Sequence, residues 1–247
     1  MTRRQIEKDM RGRVEAVDWA AAGEAIAARG FATLPGFLDA GECAALIALD
    51  TDDARFRKRI EMARHNFGEG SYGYFAEPLP EPVAAMRAAL YPPLAKIANA
   101  MMADLGQPHQ YPRTLAAFSS RCRAHGQSKP TPLLLRYGAG GFNRLHQDIY
   151  GPLAFPLQGT VLLSRPGAHS DGADFTGGQF LLMETMPRQQ SRGEAVALEQ
   201  GELILFAGGD RPVPGKRGHR RARMRHGVAT VTQGKRHTLG LIFHDAA

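Results

Sequence analysis

His146-Gln147-Asp148 sets a histidine and a carboxylate two residues apart. A further histidine, His226, is followed ten residues on by Arg236 and then by Thr238. Along a β-strand, side chains at i and i+2 point to the same face, so His146 and Asp148 can grip one ion from one side. A third ligand from a distant strand would complete a triangular face of that ion. Two histidines and one carboxylate in this arrangement suit non-haem Fe(II) and leave the opposite positions open for substrates. The guanidinium fork of Arg236, backed by the Thr238 hydroxyl, suits the far carboxylate of a dicarboxylic co-substrate. A metal and its acid are expected together.

Each part alone is common. His169-Ser170-Asp171 is a second His-x-Asp in the same chain, but it sits between Pro166-Gly167 and Gly172, in a turn-forming stretch with no strand to align the pair. His146 lies within residues 142–150, where apolar and polar residues roughly alternate as in a half-buried strand. His219, His237 and His244 compete with His226 for the third position. Only His226 has an arginine at a plausible spacing on the following strand, and no basic residue follows His244. Lys235 is the second candidate for the anion anchor.

These residues need a scaffold, and the sequence sketches one. Asp18 can cap a helix over 19–29 that Gly30 stops. Residues 31–35 read as a short strand. Asp39 opens a second helix, with Glu42 placed for a capping box. Residues 57–75 read as a hairpin whose arms are joined by Phe67-Gly68-Glu69-Gly70. A helix from about Pro82 should break or kink at Pro92-Pro93 before resuming to Leu105. From Thr131 onward the pattern becomes short apolar strands divided by Gly and Pro: 133–135, 160–163, 179–183, 203–206, 228–231 and 239–243. Many short strands at such spacing indicate a sandwich or barrel. With the metal motif, a double-stranded β-helix of the jelly-roll or cupin type is expected. The fold class is α+β, with a helical N-terminal half packed on one sheet. Residues 1–247 are expected to form one domain, 1–130 supplying helical support and the hairpin, and 131–247 the β-helix core.

The 247 residues can bury a core without staples. Two cysteines, Cys43 and Cys122, are too few for a disulfide framework and fit reduced thiols. The charged start of the chain has no apolar signal segment, and a cytoplasmic protein is expected. The formal net charge is +7, from 31 basic and 24 acidic residues. Residues 211–225, beginning at Arg211 and ending at Arg225, hold seven Lys or Arg and no acid, which leaves 24 of each sign elsewhere. One concentrated cationic segment in an otherwise neutral chain attracts polyanions, chiefly nucleic acid. The competing reading is a solvated loop.

Several motifs now resemble a known superfamily. Arg136-Tyr137-x-x-Gly140 with Leu145-His146-Gln147-Asp148 resembles the corresponding stretch of AlkB-type nucleic-acid demethylases. Gly201-Glu202-Leu203-Ile204-Leu205-Phe206, Arg225-His226-Gly227-Val228 and Arg236-His237-Thr238-Leu239-Gly240 resemble the second half of the 2-oxoglutarate- and Fe(II)-dependent oxygenase core. The run 74–80 and the closing Phe243-His244-Asp245-Ala246 are similar to a bacterial oxygenase family described as acting on alkylated DNA. The likeness spans about Gly30 to the end. Two departures stand out. Leu135 replaces an asparagine of the AlkB pattern, and an Arg-x-Thr pair replaces two separated arginines, which is closer to the hydroxylase branches.

The resemblance implies Fe(II), 2-oxoglutarate as co-substrate, and O2. It implies that His146, Asp148 and His226 hold the metal. Arg236 and Thr238 would then bind the 5-carboxylate of the acid. Tyr137 would either donate a hydrogen bond to that acid or serve as a core aromatic. His65, Tyr72, Tyr74 and Phe75 fall where AlkB-type enzymes carry a lid over an extruded base, although an aromatic cluster on a hairpin is more often core packing. Met62 and Arg64 could instead line a peptide groove. Arg220, Arg221 and Arg223 are the expected phosphate contacts. Three functions follow: oxidative demethylation of alkylated nucleic acid, hydroxylation of a protein or small molecule, and a catalytically silent nucleic-acid-binding module.

Overall fold

The computed structural model describes residues 2–108, 110–216 and 218–247. Its helices are α1 (Arg3–Glu15), α2 (Trp19–Arg29), α3 (Ala40–Ala48), α4 (Glu81–Asp104) and α5 (Leu115–Ala124). Its strands are β1 (Phe31–Leu34), β2 (Phe56–Glu61), β3 (Gly68–Glu69), β4 (Ser71–Phe75), β5 (Leu133–Tyr137), β6 (Phe142–His146), β7 (Leu157–Leu162) and β8 (Phe175–Gly177). They continue as β9 (Phe180–Thr185), β10 (Arg192–Val196), β11 (Leu203–Ala207), β12 (Asp210–Gly215), β13 (Gly218–Val228), β14 (Val231–Gly234) and β15 (Arg236–Leu241).

The cap signals act as expected. Asp18 accepts from the amides of Ala20 and Ala21, and Gly30 closes α2 in the left-handed region. Asp39 and Glu42 form a capping box on α3. Glu42 also receives both terminal nitrogens of Arg13 at 2.7 and 2.8 Å, which ties α1 to α3. Helices α1 and α5, which the sequence reading did not anticipate, are N-capped by the Thr2 and Thr114 hydroxyls and bury Met10 and Val14, and Phe118 and Cys122, respectively.

α4 runs unbroken through Pro92 and Pro93, so the expected interruption of the helix does not occur. Each proline removes one intrahelical donor, but Leu90, Tyr91, Leu94, Ala95 and Ala98 on the same helix are fully buried and hold it in place. Arg87 of α4 donates to the carbonyls of Ile242 and Phe243 and pairs with Asp245 at 2.6 Å, clamping the helix to the chain just beyond β15.

Two antiparallel sheets enclose the core. One has the order β1-β11-β7-β15-β5-β4-β2; the other runs β10-β9-β13-β6-β3, with β12 also on β13. Phe180 from the second sheet meets Phe206 from the first at 5.0 Å, so one apolar cluster spans both. This is the expected double-stranded β-helix. The helical half packs mainly against the first sheet, through α2 on β1 and β11, although α2 and α4 also touch β12. It is not purely a support, since β1, β2, β3 and β4 all join the sheets.

Three local expectations change. The hairpin 57–75 is real, as β2 pairs with β4, but its connection bears a short 3-10 turn and β3, which crosses to the other sheet to pair with β6. Residues 228–231 are not one strand: β13 ends at Val228, and β14 leaves to pair with β8. The strand around His146 ends at His146 itself, and residues 147–156 are irregular. Among the described residues, no helix is long and apolar enough to cross a membrane.

Candidate metal centre

Between the sheets lies a cavity of about 380 Å³, lined by His146, Asp148, His226, Arg236 and Thr238 among others. Register brings the two histidines together. His226 of β13 is the Cα partner of His146 at the end of β6, and their rings lie 4.3 Å apart. Alternation along β13 buries Ala222, Met224 and His226 on one face and leaves Arg221, Arg223 and Arg225 exposed on the other.

Asp148 reaches the pair from outside the strand, so the expected i, i+2 pairing on one strand does not apply. Instead the irregular segment is pinned. The Gln147 amide donates to the Met224 carbonyl at 2.8 Å, and the Tyr150 phenol donates to Asp148 Oδ1 at 2.6 Å. Asp148 Oδ2 then lies 3.3 Å from His226 Nε2, and Oδ1 lies 3.6 Å from His146 Nε2. Adjacent ligand atoms on an octahedral ion with bonds of about 2.1 Å are about 3 Å apart, so the cluster is close to the size of one triangular face. The three side chains offer ligand atoms within 4.8 Å of one another.

The electrostatics agree with a cation site. His146 Nδ1 lies 2.7 Å from the Arg144 carbonyl, a partner that requires the proton on Nδ1 and frees Nε2 for a metal. Burial, then the neighbouring His226, hold the His146 pKa below its ordinary value against the pull of Asp148. Burial alone would raise the Asp148 carboxyl. The His226 hydrogen bond and charge, with His146 and Tyr150, outweigh it and hold the group well below the usual carboxylate range. Burial, followed by the Asp148 charge, pushes the Tyr150 phenol up.

The floor of the cavity holds a cation without an anion. Arg236 is 1 % exposed, and its Nε has no hydrogen-bond partner. Among the described residues no carboxylate pairs with it. Its nearest companions are the Thr238 hydroxyl at 3.5 Å and the rings of Tyr137 and Phe175 at 5.6 and 5.8 Å. Burial lowers its pKa to about 10, which still leaves it charged at neutral pH. Arg236 and Thr238 are both buried, two residues apart on β15. Gly178 makes room for the arginine stem, since a Cβ there would come within 2.9 Å of Arg236 Cδ. Lys235, the second candidate anchor, is exposed.

The remaining expectations divide. Tyr137 is fully buried, lines the cavity and accepts from Asn143 at 3.4 Å; burial lifts its phenol to about 12. Tyr72 and Tyr74 line the cavity, but the Tyr74 hydroxyl is committed to Tyr150 at 2.9 Å. His65 is exposed outside the cavity, stacked on Phe67 at 5.3 Å. Phe75 and Met62 are core. The competing histidines lie elsewhere: His219 beside Asp104, His237 on Ser164, and buried His244 accepting from the Phe155 amide.

The cationic segment is not a loop but the β12–β13 hairpin; Arg217 lies outside the described residues. Arg211 is buried and spent on Glu184 and the Ala27 carbonyl. Arg221 and Arg223 pair with Asp210 at 3.1 and 3.6 Å. Arg220 and Arg225 are exposed.

Sequence reasoning missed Asn143, Tyr150 and Gln158, all lining the cavity. Their polar side chains carry no spacing signal. It also missed the rim. The exposed large hydrophobics of the described residues are Phe67 (47 %), Leu145 (36 %) and Ile149 (60 %). Phe67 and Leu145 line the cavity, and Ile149 adjoins Asp148.

Residues 70–246 match the model of a family described as "Oxygenase, catalysing oxidative methylation of damaged DNA". The chain belongs to this oxygenase family. Two Mycobacterium tuberculosis relatives, the uncharacterized proteins MT2286 and Rv2227, are each 45% identical over 173 residues, covering 70% of this chain and 72% of theirs. Among solved structures, a 2OG-Fe(II) oxygenase family oxidoreductase from Burkholderia pseudomallei aligns with a TM-score of 0.53 at 16% identity, covering 94% of both chains. The non-heme alpha ketoglutarate dependent epimerase SnoN from nogalamycin biosynthesis gives 0.54 at 14% identity, covering 91% of this chain and 81% of its own. These likenesses establish the fold. Family membership makes the chain an oxygenase, and the His-Asp-His cluster is its candidate metal centre.

Proposed function

We propose that His146, Asp148 and His226 hold Fe(II), that Arg236 and Thr238 bind the 5-carboxylate of 2-oxoglutarate, and that the substrate is an N-alkylated base in nucleic acid. The observation that carries the reading is Arg236. A buried, uncompensated guanidinium is costly, and this one opens onto the cavity that also holds the His-Asp-His cluster. A dicarboxylate spanning the two would neutralise it. When bound, iron and 2-oxoglutarate supply hydroxylation of a substrate C–H by O2, with loss of carbon dioxide to leave succinate. An N-methyl group so hydroxylated releases formaldehyde and leaves the free N–H.

The protein's own part is placement. Arg236 and Thr238 orient the acid from its far end, with Tyr137 and Asn143 beside them. Asp148 supplies the only carboxylate in the cluster and so offsets charge on the ion. The exposed Phe67 and Leu145 that line the cavity offer flat or greasy surface to an unstacked base. The description of the family and the exposed Arg220 and Arg225 support a nucleic-acid substrate, and such an enzyme would act in the cytoplasm. Screening methylated DNA and RNA oligonucleotides for formaldehyde release, with 2-oxoglutarate consumed in step, tests this. Consumption of the acid with no formaldehyde from any oligonucleotide would sink it.

A second reading, hydroxylation of a protein or small molecule, is favoured by one observation. Arg221, Arg223 and Arg225 project from the face of β13 opposite His226, and the first two are tied to Asp210. Salt-independent behaviour towards all nucleic acids would select it.

A further inference from the structure

Asp148 is the one proposed ligand whose backbone lies outside a strand, so no ladder fixes its carboxylate. Two phenols do so instead. Tyr74, on β4, donates to the Tyr150 hydroxyl at 2.9 Å, and Tyr150 donates to Asp148 Oδ1 at 2.6 Å. Both donors point the same way along the relay, an arrangement in which each bond polarises the next.

Tyr74 is itself held on three sides. Its ring carries the Arg57 guanidinium at 4.6 Å, meets Tyr72 edge-on at 5.3 Å, and meets Tyr150 edge-on at 6.1 Å. Arg57 in turn donates to the Pro130 carbonyl at 2.8 Å. The Tyr150 ring rests against His244 at 5.9 Å. The far end of the relay is therefore built into the first sheet, while its near end touches a carboxylate in an irregular segment.

We propose that Tyr150, gripped by Tyr74, is a positioning residue for the metal: its phenol occupies Asp148 Oδ1 and presents Oδ2 to the ion beside His226. The inference rests on the ligand assignment above. It also reassigns Tyr74 from a substrate contact to a support of the metal site. Without the phenol, Asp148 turns about its terminal bond and no longer meets the ion in a fixed orientation. Partners of this kind, one step removed from the metal, typically change metal affinity by about 10- to 100-fold.

The test uses the full chain, with Co(II) as an air-stable probe, titrated into wild type, Tyr150→Phe and Tyr74→Phe. Each substitution keeps the ring and removes only the hydroxyl. Tyr150→Phe should bind Co(II) about 10- to 100-fold more weakly and alter the visible Co(II) spectrum, with thermal unfolding of the metal-free protein unchanged. Tyr74→Phe should shift affinity the same way by a smaller, several-fold factor. Wild-type affinity and spectrum in both variants would overturn the inference alone. Wild-type protein that binds no Co(II) would overturn the ligand assignment and the inference with it. Should Tyr150→Phe fail to fold, Tyr74→Phe decides, and unchanged affinity there is the overturning result.

Discussion

Asp148 is the only carboxylate in the His-Asp-His cluster, so Asp148→Ala should leave two neutral donors and bring 2-oxoglutarate turnover to background. Metal content after dialysis and consumption of the acid measure both halves of that expectation. Arg236→Leu should separate the two ligands. A charge-assisted hydrogen bond contributes about 1.5–3 kcal/mol, so affinity for 2-oxoglutarate should fall roughly 10- to 150-fold while Co(II) affinity stays put. Thr238→Val removes a neutral donor and should cost a few-fold, in line with about 0.5–1.5 kcal/mol. Calorimetric titration of the acid into metal-loaded protein reads the Arg236 and Thr238 variants. The side chains that meet in the cavity were legible because metal and anion chemistry restricts residue type and order. Asn143, Tyr150 and Gln158 were not, because a single amide or phenol acquires its role only from what folding brings near it. His65 lies outside the cavity, which its neighbour Phe67 lines instead.

Among the elements, β13 joins metal chemistry to surface charge, with His226 near one end and the exposed arginines towards the other. The pairing with Asp210 divides those charges into two groups. Replacing Arg220 and Arg225 by Ser should flatten the dependence of log K on log salt by up to about 0.9 per lost phosphate contact on duplex, or about 0.7 on single strands. Replacing Arg221 and Arg223 should flatten it less, since Asp210 already offsets them. Fluorescence anisotropy across a salt series would show the contrast, and equal slopes for the two pairs would contradict it. The capped helices α2 and α3 and most core strands could be read from local signals, because caps and short apolar runs are properties of contiguous residues. The unbroken passage of α4 through Pro92-Pro93 could not, since tertiary burial of its neighbours outweighs a local penalty. The crossing of β3 to the second sheet was equally hidden. A two-residue strand has no period to detect.

Over the whole molecule, Arg236 places function against stability. In protein without the acid, the buried charge of Arg236 has no counter-ion among the described residues. Even a paired buried charge, exchanged together with its partner for apolar side chains of similar volume, is often neutral or stabilising by about 1–4 kcal/mol in other proteins. Arg236→Leu should therefore melt at a higher temperature than wild type when both are stripped of ligand. Saturating wild type with 2-oxoglutarate at about 100 times its Kd should return roughly 2.7 kcal/mol and reverse the order, while the variant gains little. Thermal scans with and without the acid measure the crossover. A variant that melts below ligand-free wild type would show that the arginine stem matters more for packing than its charge costs.

The lone arginine has a consequence for how the enzyme would experience its own product. The carboxylate that Arg236 is proposed to hold is the one the reaction would leave untouched, since carbon dioxide departs from the opposite end of the acid. Succinate therefore carries away the same handle that 2-oxoglutarate brought in. Discrimination between fresh co-substrate and spent product must then come entirely from the end that faces the metal. Stripped of its ion, the protein should lose that preference and hold the two acids almost equally. Loaded, it should favour the acid still able to chelate. The cavity would then act as a gauge of the ratio of the two acids, set by the metal rather than by the arginine.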